Sequence, residues 1–393
     1  MGASVVAKWK LMQDTITIKD KLKIVKFILT TKQFTNGKMV KKFEELWSEW
    51  LGAKHSLFVS SGSTANFLLI AAIKEKYNLK DGDKVLLPAC TWVTNVGPII
   101  QLGLQPIFCD VNTDNFSFDI SEMKKIKKDH PDIKLIFVTH LLGFAAENKE
   151  YQKVFPKAII LDDVCESHGV RFEDGNKVGA DSIGSTFSFY FGHHMTTVEG
   201  GMVCTNDTEL YDLMKMKRSH GMARESINAK AYADSYPEIN KSFLFITDGY
   251  NFRNHEICAV LGISQLKRLD KMIKIRKENY ATFYKMMQDY QDKFFAVKEN
   301  LTNSSFCFPI ICKDKDIYNR LINLLEINEI EYRPIVGGNL LKHPFLKEYR
   351  IHTNKKTTNA DLINDFGVYL GNSHFVNKSN LDTLAQIFKE ISK

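Results

Sequence analysis

Two adjacent imidazoles, His193 and His194, stand in the run Ser188-Phe189-Tyr190-Phe191-Gly192-His193-His194-Met195-Thr196-Thr197-Val198-Glu199-Gly200-Gly201. Histidine takes and returns protons near neutrality, so this run could carry acid–base chemistry. A second group is Leu161-Asp162-Asp163-Val164-Cys165-Glu166-Ser167-His168-Gly169, which continues an apolar run. Asp163 and Glu166 therefore fall at the carboxyl end of a predicted strand, where open α/β sheets place their ligands; the same acids could also cap the next helix. The third group, Ser60-Ser61-Gly62-Ser63-Thr64-Ala65-Asn66, lies between a strand-like stretch at 56–59 and an apolar helix carrying Leu68, Leu69 and Ala72. Small residues at a helix N-terminus leave backbone N–H groups free at the positive end of the dipole, which suits a phosphate, and they also make good caps.

These groups need a scaffold, and the apolar periodicity predicts one. Val85-Leu86-Leu87, Ile107-Phe108-Cys109, Leu135-Ile136-Phe137-Val138 and Ile159-Ile160-Leu161 are short β-rich runs separated by helix-length segments. That is an α/β pattern with a largely parallel sheet. Phe43, Trp47, Trp50 and Leu51 recur at helical spacing and read as the buried face of a helix. An amphipathic stretch over 263–292 leads to a second unit, with a strand at 305–311, a helix at 317–325, a strand end at Tyr332-Arg333 and a terminal helix at 381–391. The expected division is 1–265 for a large cofactor-binding unit and 266–393 for a smaller C-terminal α+β unit.

Composition narrows the classes. The chain has 393 residues, 44% hydrophobic and 25% charged, as expected for an ordered globular enzyme. Its net charge of +7 is spread along the sequence, which can attract a nucleotide diphosphate but forms no dense basic stripe for nucleic acid. Seven cysteines, at 90, 109, 165, 204, 258, 307 and 312, include no Cys-x-x-Cys pair, a pattern of reduced thiols and not of a zinc site or disulfides. The opening Met1-Gly2-Ala3-Ser4-Val5-Val6 lacks the apolar core of a signal peptide, and no stretch is long enough to span a bilayer. A cytoplasmic protein with neither membrane nor nucleic-acid partner is expected.

The loop around His193 resembles the cofactor-lysine loop of the DegT/DnrJ/StrS sugar aminotransferase family. There a serine, four residues, a lysine and five residues precede Glu-Gly-Gly; the same spacing from Ser188 to Glu199-Gly200-Gly201 puts His193 in the lysine's place. Imidazole keeps the base and loses the covalent anchor. Within the family the exchange is similar to the GDP-4-keto-6-deoxymannose 3-dehydratase branch, which removes a sugar hydroxyl instead of leaving an amine. Arg218-Ser219-His220-Gly221, Arg333-Pro334-Ile335-Val336-Gly337-Gly338-Asn339 and Tyr369-Leu370-Gly371-Asn372-Ser373-His374 also resemble that branch, and the likeness covers nearly the whole chain.

The resemblance implies a fold type I, aspartate-aminotransferase-like α/β architecture. It implies pyridoxal 5′-phosphate or pyridoxamine 5′-phosphate held without a covalent bond, and no metal. Gly62, Ser63 and Ser188 would take the phosphate, Asp163 the pyridine nitrogen, and Trp92 would stack on the ring with Glu166 beside the cofactor. Asn251 would reach the phosphate of the neighbouring subunit in a homodimer, while His220, Arg253 and Arg333 would face substrate. Register with Glu-Gly-Gly favours His193 over His194 as the base.

The implied substrate is a nucleotide-linked, GDP by the same resemblance, 4-keto-6-deoxysugar, either hexose or heptose. His193 would move the proton that lets the C3 hydroxyl leave, and hydrolysis would give a 4-keto-3,6-dideoxysugar and ammonia. L-glutamate would then restore the amine. A related branch dehydrates with an iron–sulfur cluster, which needs close cysteine thiolates that this chain does not group. Two rival readings stand beside this one. A nucleotide-sugar aminotransferase would need a lysine in an equivalent loop, and a catalytically silent, cofactor-binding regulatory protein would explain only the loss of that lysine.

Overall fold

In the computed structural model, residues 8–299, 302–349 and 357–393 are described; the opening Met1 to Val6 lies outside them. Seven strands form the large sheet: β1 (His55–Val59), β2 (Lys84–Pro88), β3 (Gln105–Cys109), β4 (Leu135–Thr139), β5 (Ile159–Asp163), β6 (Ser185–Ser188) and β7 (Gly201–Thr205), in the order β1-β7-β6-β5-β4-β2-β3. β3, β2, β4, β5 and β6 run parallel, while β7 is antiparallel to both its neighbours. The result is a mixed, mostly parallel α/β sheet.

Alternation along each strand divides the core into two layers. Leu57, Val59, Val85, Leu87, Leu135 and Phe137 pack against helices Gly62–Lys76 and Val93–Gln101. Leu86, Ile107, Ile136 and Val138 face the other way, toward helices Ile120–Asp129 and Asn148–Val154. Strands covered on both faces read as continuous apolar runs, which is why β2 to β5 are visible in the sequence. Helix Lys38–Leu51 buries Phe43, Trp47 and Leu51 beneath β6 and β7, and Trp50, partly buried, donates to Asp270.

A 33-residue helix, Glu256–Gln288, links the layers. Its first half packs Ala259, Leu269 and Ile273 with the large sheet, and its second half packs Tyr280, Phe283 and Met287 with a smaller antiparallel sheet ordered β8-β10-β9. That sheet comprises β8 (Cys307–Ile311), β9 (Tyr332–Pro334) and β10 (Gly367–Gly371). The helix starts earlier than the stretch expected from 263, and the carboxylate of its first residue, Glu256, accepts the amides of Gly37, Met39 and Val40 at the start of helix Lys38–Leu51. A Cβ on Gly37 would lie 2.7 Å from that carboxylate, so a larger residue would displace the Glu256 side chain that these amides hold.

β8 begins two residues later than the expected strand at 305–311. Ser304 and Phe306 donate instead to the carbonyls of Gly143 and Leu142, tying the small sheet to the large one. Residue 265 falls inside the linking helix, and Trp9 packs with the small sheet, its Nε1 donating to the Gly371 carbonyl at 2.9 Å. No helix among the described residues is long and apolar enough to cross a membrane.

Candidate active site

Helix Gly62–Lys76 opens on a capping box: Ser61 Oγ accepts the Thr64 amide at 3.1 Å, and Thr64 Oγ1 accepts the Ser61 amide at 2.9 Å. The amides of Gly62 and Ser63, in the first turn, have no intrahelical acceptor and remain at the positive end of the dipole. A Cβ on Gly62 would stand 2.6 Å from Ser188 Cβ and 3.2 Å from Cys165 Sγ. The bare backbone is what lets the end of β6 approach the helix, bringing the Ser188 hydroxyl to the same spot.

Asp163 ends β5 and is buried. Its Oδ2 accepts Asn66 Nδ2 at 2.9 Å and Asn95 Nδ2 at 2.8 Å, and its Oδ1 accepts the Cys165 amide at 2.9 Å. The two asparagines are themselves held: Thr186 Oγ1 donates to Asn66 at 2.6 Å and Thr91 Oγ1 to Asn95 at 3.0 Å. Sequence reading missed all four of these supporting residues. A polar Asn66 in an otherwise apolar helix turn was the available signal. Trp92, beside buried Thr91, caps helix Val93–Gln101 and leaves half its indole exposed.

Glu166 Oε2 accepts the Leu142 amide at 3.1 Å. Burial, together with the charge of Asp163, pushes its carboxyl up to about 7. Leu142 adopts φ +55°, and Gly143, at φ +94°, has no room for a Cβ, which would lie 2.6 Å from the Ser305 amide.

The histidine loop leaves β6 and is clamped where Phe189 N–H meets the Gly200 carbonyl and Thr197 N–H meets the Phe189 carbonyl. Within it the two imidazoles part. His194 is fully buried, with Nε2 3.1 Å from the Ser304 carbonyl. His193 lines a narrow pocket with Arg276, Phe306, Cys307 and Tyr369. Its Nδ1 is enclosed without a hydrogen-bond partner among the described residues. Burial, aided by the Arg276 guanidinium, holds His193 down at about 4, so the ring is a free base at neutrality. The charge of Glu166 is felt at Cys307 and Tyr369, which places its carboxylate close to the same pocket.

His168 stacks 6.2 Å from His193 and, like His194, is kept neutral chiefly by burial. All three imidazoles titrate near 6.5 when unfolded, so between 6.5 and about 4 the unfolded chain binds protons that the fold excludes. Their contribution to stability is present above 6.5 and lost as pH falls toward 4. Melting temperature is therefore expected to drop steadily from about pH 7 to about pH 5; an unchanged value over that range would contradict the placement.

Asn251, His220 and Arg253 form a separate group. Ser219 bridges Asn251, the His220 amide donates to the Tyr250 carbonyl, and Arg253 Nε donates to Asn251 Oδ1 at 3.1 Å. The strip runs beside the end of β1, where Ser60 N–H meets the Phe252 carbonyl, but Asn251 and His220 turn outward to solvent. Arg333 is exposed on β9, opposite Tyr369 of β10.

Together, free first-turn amides, a buried carboxylate with its donors and a half-exposed indole fit a phosphorylated aromatic ring whose nitrogen needs an acid partner. Residues 15–389 match the profile of the DegT/DnrJ/EryC1/StrS aminotransferase family. GDP-4-keto-6-deoxy-D-mannose 3-dehydratase of Escherichia coli O55:H7 (strain CB9615 / EPEC) is 35% identical over 380 residues, covering 93% of this chain and 96% of its own. The protein of the same description from Yersinia pseudotuberculosis is 34% identical over 378 residues, covering 94% and 95%. A crystal structure of GDP-4-keto-6-deoxymannose-3-dehydratase with a trapped PLP-glutamate geminal diamine superposes with a TM-score of 0.87 at 31% identity, covering 97% of this chain and 100% of that one.

Proposed function

The chain belongs to the DegT/DnrJ/EryC1/StrS aminotransferase family, and from that premise we propose a pyridoxal-phosphate-dependent 3-dehydratase that acts on a nucleotide-linked 4-keto-6-deoxysugar. The observation that carries this reading is a neutral imidazole, His193, on the pocket wall where the family places a lysine. GDP is the favoured nucleotide, since the relatives described above act on GDP-sugars by name. L-glutamate, trapped on the cofactor in the related crystal structure, is the amino donor.

Pyridoxamine phosphate, when bound, supplies an amine for the sugar's keto carbon and a ring that accepts electrons. The protein does the rest. Gly62, Ser63 and Ser188 would bind the phosphate, Asp163 would pair with the ring nitrogen, and Trp92 would stack on the ring. Without a lysine these contacts alone retain the cofactor. His193 Nε2 takes a proton at C4′, and its imidazolium delivers one to the departing C3 hydroxyl. Water leaves, and hydrolysis yields a 4-keto-3,6-dideoxysugar and ammonia.

Asn251, exposed on its own chain, completes the partner's phosphate site in a cytoplasmic homodimer. Ile18, Leu22, Val25 and Leu29, all at least half exposed at helical spacing on helix Ile18–Thr30, add an apolar stripe that such an assembly can cover.

The protein, pyridoxal phosphate, L-glutamate and a GDP-4-keto-6-deoxysugar are incubated together and the sugar is weighed by mass spectrometry. A dehydratase gives a product lighter by one oxygen atom, an aminotransferase exchanges the keto oxygen for an amine, and a silent protein changes nothing. Borohydride treatment followed by denaturation is expected to release the cofactor from the protein, the aldehyde form as its alcohol and the amine form unchanged. A reduced adduct on any lysine would refute non-covalent binding.

A further inference from the structure

A groove of about 700 Å³ runs along the side of helix Glu256–Gln288 and shares no lining residue with the histidine pocket. Ile273, Lys277, Tyr280, Ala281 and Tyr284 turn one face of that helix to it, and Arg171 and Lys177 line it from the segment after β5. A space of that size holds a small molecule. Its cations crowd one another. Arg171 and Lys177 sit opposite in an antiparallel bridge, which sets like charges side by side at a cost. Burial, with the charge of Arg171, holds Lys277 below the ordinary lysine range, so these two also lie close. Lys177 has compensation from the Trp50 ring, whose centre is 4.2 Å from Nζ, and from the charge of Asp270. Arg171 Nη1 donates to the Gly175 carbonyl at 2.5 Å, and neither Arg171 nor Lys277 forms an ion pair with a described carboxylate. The groove's own carboxylates stand apart from them: Asp270 accepts Trp50 Nε1 at 2.8 Å, Glu278 lies 4.0 Å from Lys274, and Glu299 is exposed.

Asn303 gives a second, independent sign of a ligand. It lines the groove at 1% exposure, and neither its Oδ1 nor its Nδ2 has a hydrogen-bond partner. Buried side-chain amides are nearly always paired. The Arg171 amide donates to the Thr302 carbonyl at 3.0 Å, which sets Asn303 beside the cations. A ligand that satisfies both features offers an anion to Arg171 and Lys277, and a donor and an acceptor to the amide. A phosphate ester with free hydroxyls has all three, and the flat guanidinium fork matches phosphate oxygens. We propose that this groove is a second ligand site that takes a small sugar phosphate, its phosphate between Arg171 and Lys277 and a hydroxyl on Asn303. The assignment is independent of the dehydratase reading.

Glucose 1-phosphate is the probe, titrated by calorimetry into the cofactor-loaded protein so that the candidate cofactor-phosphate site is already filled. Binding is expected. Arg171→Glu and Lys277→Glu are each expected to weaken it by about 10- to 100-fold, the worth of a charge-assisted contact. Lys285→Glu is the control, since it changes the net charge equally but lies eight residues, about 12 Å, further along the helix. At that distance salt screens most of its field, so an affinity within about threefold of the unaltered protein is expected. Arg171→Glu also loses the bond to Gly175, so Lys277, half-buried and without an ion pair, carries the test if that variant fails to fold, with circular dichroism and melting as the check. No binding to the unaltered protein, unchanged affinity in folded Lys277→Glu, or an equal loss in Lys285→Glu overturns the proposal. None of these outcomes touches the mass of the sugar product, by which the dehydratase reading stands or falls.

Discussion

Replacing His193 by asparagine is expected to slow sugar dehydration by about 10²- to 10⁴-fold, the range that a positioned acid–base group contributes. Asparagine is polar and of similar bulk but cannot titrate. The cofactor is expected to stay bound, because its proposed contacts lie on Gly62, Ser188, Asp163 and Trp92 and not on the imidazole. The pH profile gives a second check. Burial and Arg276 hold His193 at about 4, so the base form persists well below the ordinary histidine range. Activity limited by this group should therefore fall only as pH drops through about 4, unless acid unfolding intervenes first. A lysine at the same position could capture the cofactor aldehyde covalently while losing dehydration. Unaltered turnover in the asparagine variant would reject the assignment, and His194 could replace His193 only by leaving the Ser304 carbonyl that its Nε2 meets at 3.1 Å.

Strands β2 to β5 were legible because helices cover both their faces, leaving uninterrupted apolar letters in the sequence. β6, Ser185-Thr186-Phe187-Ser188, carries no such signal, since its hydroxyls serve Asn66 and Gly179 as well as the candidate phosphate site. The antiparallel insertion of β7 between β1 and β6 is a long-range pairing that no local pattern encodes. The site divides in the same way. Motif spacing picked out His193, Asp163, Glu166 and Ser188, whereas Asn66 and Asn95, 97 and 68 residues from Asp163, emerge only when the fold brings them to its carboxylate. Arg276 was hidden for a related reason, as a lone arginine in a charged helical stretch usually reads as solvated surface, and only packing against Phe306 and Asn372 buries it.

Mixing Asn251→Ala chains with His193→Asn chains is expected to restore activity that neither variant has alone. In a two-fold dimer whose sites each combine His193 of one chain with Asn251 of the other, a heterodimer holds one doubly damaged site and one intact site. Random exchange of equal amounts makes about half the dimers mixed, so about a quarter of full activity should return. The exposed Asn251 side chain makes the sharing possible, and its bond from Arg253 Nε at 3.1 Å holds its oxygen and leaves the amide nitrogen free to donate. Alone, Asn251→Ala should weaken cofactor binding by about 10- to 100-fold, since a hydrogen bond to a charged phosphate is worth about 1.5 to 3 kcal/mol. That loss matters more here than in an enzyme with a lysine anchor, because an untethered cofactor leaves once its non-covalent contacts weaken. Activity is read at a cofactor concentration that saturates the unaltered protein but not Asn251→Ala. Heterodimers that form, shown by differently tagged chains purifying together, yet give no more activity than the separate variants would place Asn251 outside the partner's site.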